Sequence, residues 1–137
     1  MIAVTRRYRF PAAHVLRDPR LPDAENERIY GKCANPHGHG HNYGLEVCVA
    51  GRVDPRSGRI VDPDWLDALV RERAVERLSH SLLNDDPAFR ERVPTAEHIA
   101  QLVEAELAGP IAAQGARLVG VRVIETRRNV FETGDPT

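Results

Sequence analysis

From His41 to Val49 the chain alternates without a break: His41, Tyr43, Leu45, Val47 and Val49 share one parity, and Asn42, Gly44, Glu46 and Cys48 the other. Period two marks a strand with one buried face, so the fold has to supply a sheet and something to cover it. A second run, Leu118 to Thr126, puts Val119, Val121, Val123 and Glu125 on one face. Ile2 to Phe10 mixes β-branched and aromatic residues with arginines in rough alternation and leads into Phe10-Pro11-Ala12-Ala13-His14. A short strand around Val130 and Phe131 completes the set.

The cover comes from helical spacing between the strands. Asp62-Pro63-Asp64 sets a capping carboxylate ahead of a proline at the first helical position, and Trp65, Leu66, Leu69, Val70 and Leu78 predict one amphipathic helix to about Leu78. Thr95 can cap a second helix with apolar positions Ile99, Leu102, Val103 and Leu107, limited by Gly109-Pro110. Val15 to Lys32, with Pro19, Pro22 and many charges, predicts a long irregular loop. Asp54 to Gly58 predicts a turn, from which Arg59 to Val61 pairs back as a short strand. These elements make an α+β fold, an antiparallel sheet with helices on one face. At 137 residues the expectation is one domain, 1–137.

Composition removes several classes of function. A net charge of −1 supplies no field for nucleic acid or an acidic membrane. No apolar run approaches the roughly 18 to 20 residues of a membrane span, and a cytoplasmic protein is expected. Cys33 and Cys48 are too few for a disulfide framework.

The histidines point to a metal. Residues two apart in a strand project to one side with Cα atoms about 6 to 7 Å apart, so His39-Gly40-His41 can offer two imidazoles to one ion, Gly40 letting backbone approach closely. Zinc suits imidazole and needs a third ligand, for which His14 is placed if the first two strands pair. The plainer alternative is a polar, glycine-rich turn that binds metal only adventitiously. Cys33 has two options: a fourth ligand that closes the site, or a free thiol beside the metal acting as base or nucleophile. Cys48 is a small residue inside a strand.

The run from Glu25 to Tyr43, with Cys33-Ala34-Asn35-Pro36-His37-Gly38-His39-Gly40-His41-Asn42, resembles the 6-pyruvoyl-tetrahydropterin synthase family, which includes the 6-carboxy-tetrahydropterin synthases. The likeness extends to His14 at the end of the first strand, Gly51-x-Val53-Asp54-Pro55-x-x-Gly58, Leu78-x-His80, Pro94-Thr95-Ala96-Glu97 and Val123-x-Glu125-Thr126. The resemblance implies the tunnelling fold, a four-stranded antiparallel sheet with two helices on one face. Its subunits form an oligomeric barrel, usually a homohexamer of two trimers. It implies zinc on His14, His39 and His41, a small-molecule pterin substrate, 7,8-dihydroneopterin triphosphate, and a lyase reaction that expels triphosphate.

Cys33 and His80 then carry catalytic protons and Glu125 anchors the pterin ring. Thr95 and Glu97 lie near its pocket, Thr95 being equally explained as a helix cap. A second register, Cys33-x-x-x-His37-Gly38-His39, matches the carboxy-forming branch; the strand alternation favours His39 and His41, with His37 as a neighbour. One position departs from the family, which carries Asp before the catalytic histidine where this chain reads Ser79-His80-Ser81-Leu82. A serine orients a neighbour but does not stabilise an imidazolium as a carboxylate does. Asp85 or Asp86 are the nearby substitutes, and a relative recruited to another substrate is the corresponding alternative. A rival of another class is a non-catalytic zinc-stabilised binding module with a closed Cys-His₃ site.

Overall fold

A computed structural model describes residues 1–134. Four strands, β1 (Ile2–His14), β2 (His39–Gly51), β3 (Arg117–Ile124) and β4 (Val130–Glu132), form one sheet in sequence order, each antiparallel to the next. β1 runs four residues past Phe10 because it lies at a sheet edge, where Pro11 interrupts no ladder on its outer side. β1 and β2 pair over 13 residues, with His14 directly opposite His39 and Ala12 opposite His41.

One face is apolar. Phe10, Tyr43, Leu45, Val47, Val49, Val121 and Val123 are buried there under two helical segments. The first begins with α2 (Pro63–Val70), capped by the Asp62 carboxylate accepting from Asp64 N–H at 2.9 Å, passes through a wide π turn (Arg71–Val75) and ends as α3 (Glu76–Leu78). It buries Leu66, Val70, Ala74 and Leu78, four residues apart, as one stripe. The second, α4 (Ala96–Ala113), buries Ile99, Val103, Leu107 and Ile111. The opposite face carries charge: Glu46 accepts from Arg7 and Arg122 at 2.9 and 2.8 Å. No helix among the described residues is long and apolar enough to cross a membrane.

Four expectations need correction. Val15 to Lys32 is not all loop: it holds α1 (Asp23–Tyr30). No hydrophobic stripe announced that helix; its signals were Pro22 ahead of Asp23 and Gly31 behind Tyr30 at φ 56°. Arg59 to Val61 forms no strand, although the turn closes through Asp54 N–H and the Arg59 carbonyl at 2.9 Å. Gly109-Pro110 does not end α4, which continues to Ala113 with Pro110 inside. So close to the C-terminus the missing N–H forfeits one bond. Val119 does not share the face of Val121, because a bulge pairs Cys48 with Gly120 and Val49 with Leu118, turning Val119 outward.

Candidate metal centre and surrounding residues

Strand register brings the three histidines together. His39 and His41 share a face of β2, and His14 enters from β1; their ring centroids lie 4.5, 5.1 and 4.9 Å apart pairwise, each pair edge-to-face. One nitrogen from each ring falls within 4.8 Å of the others, the only such group of three metal-competent side chains among the described residues. The Nε2 atoms of His14 and His39 are 2.8 Å apart.

The orientation of His14 is fixed from behind. Its Nδ1–H donates to the Pro94 carbonyl at 2.8 Å, which leaves the Nε2 lone pair facing the other two rings. Burial pushes His14 down to about 4, against the contrary pull of that hydrogen bond, with His39 and His41 depressing it further. His39 is likewise held below its ordinary value, by burial and then by His41, while Glu125 pulls it upward. Neutral imidazoles with converging lone pairs are what a borderline-soft cation such as zinc requires.

Tyr43 completes the wall: its hydroxyl oxygen lies 3.2 Å from His14 Nδ1, and burial followed by Glu125 raises its phenol above the usual value. Neither Tyr43 nor the Pro94 carbonyl was singled out from sequence. Tyr43 had a signal, the parity of His41; a backbone carbonyl has none. The glycine that matters is Gly38 rather than Gly40. Gly38 sits at φ 72°, and a Cβ there would stand 3.1 Å from the His14 carbonyl oxygen, whereas one on Gly40 would meet only Ala12 O at 3.5 Å.

The other candidates surround the triad unequally. Cys33 lies half-buried on a 3₁₀ turn (Gly31–Ala34), its carbonyl accepting from Leu16 N–H at 2.9 Å, and is not one of the three clustered side chains. His37 is exposed, outside β2, its N–H donating to Asn35 Oδ1 at 3.0 Å. Glu125 is half-buried just past β3, on a groove of about 670 Å³ with Arg9, Asn42 and Arg127, and its carboxylate has no hydrogen-bond partner among the described residues.

Thr95 spends its hydroxyl on His98 N–H as the cap of α4, and Glu97 is exposed in the first turn. His80 is exposed after α3 and lines a depression with His41. Asp86 does not stand in for a carboxylate beside His80, because both its oxygens grip Arg77 at 2.8 Å.

The family profile described as 6-pyruvoyl tetrahydropterin synthase matches residues 3–135. A 6-pyruvoyl tetrahydrobiopterin synthase of Poecilia reticulata is 38% identical over 128 residues, 93% of this chain and 86% of the fish protein. The human protein of the same description is 37% identical over 93% of this chain and 87% of its own length. The structure of Caenorhabditis elegans 6-pyruvoyl tetrahydropterin synthase superposes with a TM-score of 0.90 at 33% identity, covering 98% of this chain and 95% of that one.

Proposed function

Because the chain belongs to the 6-pyruvoyl tetrahydropterin synthase family and has its tunnelling fold, we propose that it is a zinc-dependent 6-pyruvoyl-tetrahydropterin synthase. It would be a carbon–oxygen lyase that eliminates triphosphate from 7,8-dihydroneopterin triphosphate. The observation that carries the reading is the convergence of the His14, His39 and His41 nitrogens within 4.8 Å, with His14 pre-oriented by Pro94. Zinc bound there supplies a Lewis acid that acidifies C–H and O–H bonds of a bound side chain.

The chain's own residues do the rest. Glu125, with free carboxylate oxygens, accepts the amino and ring N–H groups of the pterin. Cys33 as thiolate moves a proton from carbon, and His80 carries the complementary proton. Thr95, by capping α4, steadies the neighbouring Pro94 carbonyl behind His14, and Glu97 stands two residues on in the first turn of the same helix. Residues 1–137 act as one domain of a cytoplasmic protein, assembled as a homohexamer of two trimers.

The test joins product and metal. Purified protein incubated with 7,8-dihydroneopterin triphosphate is expected to give the pyruvoyl product by mass. A carboxylated pterin would assign the other branch, and bound zinc without turnover would point to a different substrate. Cys33→Ala is expected to keep zinc while losing turnover, and His39→Ala to lose the metal. Metal loss in both would favour a closed Cys-His₃ binding module instead.

A further inference from the structure

The tripeptide Ser79-His80-Ser81 leaves α3 and runs along the free edge of β1. Its backbone is fixed from both sides. Ser79 N–H donates to the Val75 carbonyl at 2.8 Å, His80 N–H to the Pro11 carbonyl at 2.6 Å, and Ala13 N–H to the Ser81 carbonyl at 2.9 Å. The Ser81 hydroxyl donates to the Leu78 carbonyl at 2.7 Å. Within that clamp His80 is held at φ 55°, the one positive φ outside glycine among the described residues. A side chain with a β-carbon disfavours this conformation, so the surrounding bonds impose it. The imposed geometry presents the ring to the depression it shares with Gly40, His41 and Asn42.

Few polar groups reach that ring. Ser79 Oγ lies 2.9 Å from His80 Nδ1. Asp86 is committed to Arg77 and Glu106 to Arg73 and Arg77, Asp85 is exposed at the end of the 3₁₀ turn Leu83–Asp85, and no carboxylate among the described residues lines the depression. The hydroxyl is therefore the ring's hydrogen-bond partner among the described residues, and Nε2 is the open atom.

A hydroxyl both donates and accepts, where a carboxylate only accepts. When Ser79 accepts from Nδ1–H, Nε2 has a free lone pair and takes a proton. When the hydroxyl rotates to donate to Nδ1, Nε2 bears the hydrogen and donates a hydrogen bond instead of taking a proton. We propose that Ser79 is the positioning residue of His80, holding the ring at Nδ1 while keeping both neutral tautomers available to Nε2. The inference rests on the reading of His80 as a proton carrier. During transfer the substrate's proton lands on Nε2, Nδ1–H stays bonded to Oγ, and the positive charge stays on the ring until Nε2 returns the proton.

The experiment uses zinc-loaded protein with ¹⁵N-labelled histidine, as wild type and as Ser79→Ala, Ser79→Thr, Ser79→Asp and His80→Gln, the last assigning the ring signals. Wild type and Ser79→Thr are expected to show both tautomers of His80 in exchange, and Ser79→Asp the Nδ1–H form alone. Ser79→Ala is expected to shift the populations and to lower kcat about tenfold with little change in KM, Ser79→Thr restoring the rate. Unchanged ring spectra and kcat in Ser79→Ala, with His80→Gln inactive, would sink the proposal and leave the role of His80 standing. Wild-type turnover by His80→Gln would remove that role and the proposal together.

Discussion

At the scale of single residues, His14 combines full burial with a committed Nδ1, and its depressed titration has a thermodynamic consequence. Between the ordinary 6.5 and about 4 the unfolded chain binds a proton at this residue that the folded chain refuses. Stability of the metal-free protein is therefore full above that window and falls as pH drops through it, by on the order of 3 kcal/mol. His39 adds in the same direction. Urea titrations of metal-free wild type and His14→Gln from neutral to acid pH would check this; equal slopes would contradict it. The clustering of the three histidines was legible because β spacing and parity bring His39 and His41 to one face and strand pairing brings His14 beside them. The Pro94 carbonyl was not, since any residue there has a carbonyl and only the fold decides what it meets.

Among elements, the entry to β2 carries the backbone demand that bears most directly on the histidine cluster. Gly38→Ala is expected to cost about 1 to 2 kcal/mol, from the left-handed conformation alone, and to weaken zinc binding by crowding the His14 carbonyl. Gly40→Ala should change stability by less than about 1 kcal/mol. Chemical denaturation with zinc titration compares the two, and a larger penalty at Gly40 would refute the assignment. β2, α2 and most of α4 were readable from periodicity and caps. The helix α1 was not, because its one buried residue is Asn26, whose amide bonds Asp18 N–H, Asp18 O and Leu21 O rather than filling an apolar stripe. The bulge at Cys48 escaped for a related reason: uninterrupted valines look the same whether or not one residue is extra.

Across the whole molecule, a single core couples the helices to the site. Leu78 is fully buried and immediately precedes Ser79-His80. Leu78→Ala is expected to cost about 2 to 5 kcal/mol in denaturant unfolding and to loosen the His80 segment; a loss below about 1 kcal/mol would show that the helix end is not anchored there. The layered architecture was visible in the order of elements, whereas pairing partners depend on long-range contacts that no local pattern encodes. The direct opposition of His14 and His39 then acts as a checksum on folding. A one-residue slip of β1 would send His14 to the far side of the sheet, leaving two imidazoles in place of three. A cation held by all three would thus select correctly threaded chains, and metal supplied during refolding should raise the yield of native protein.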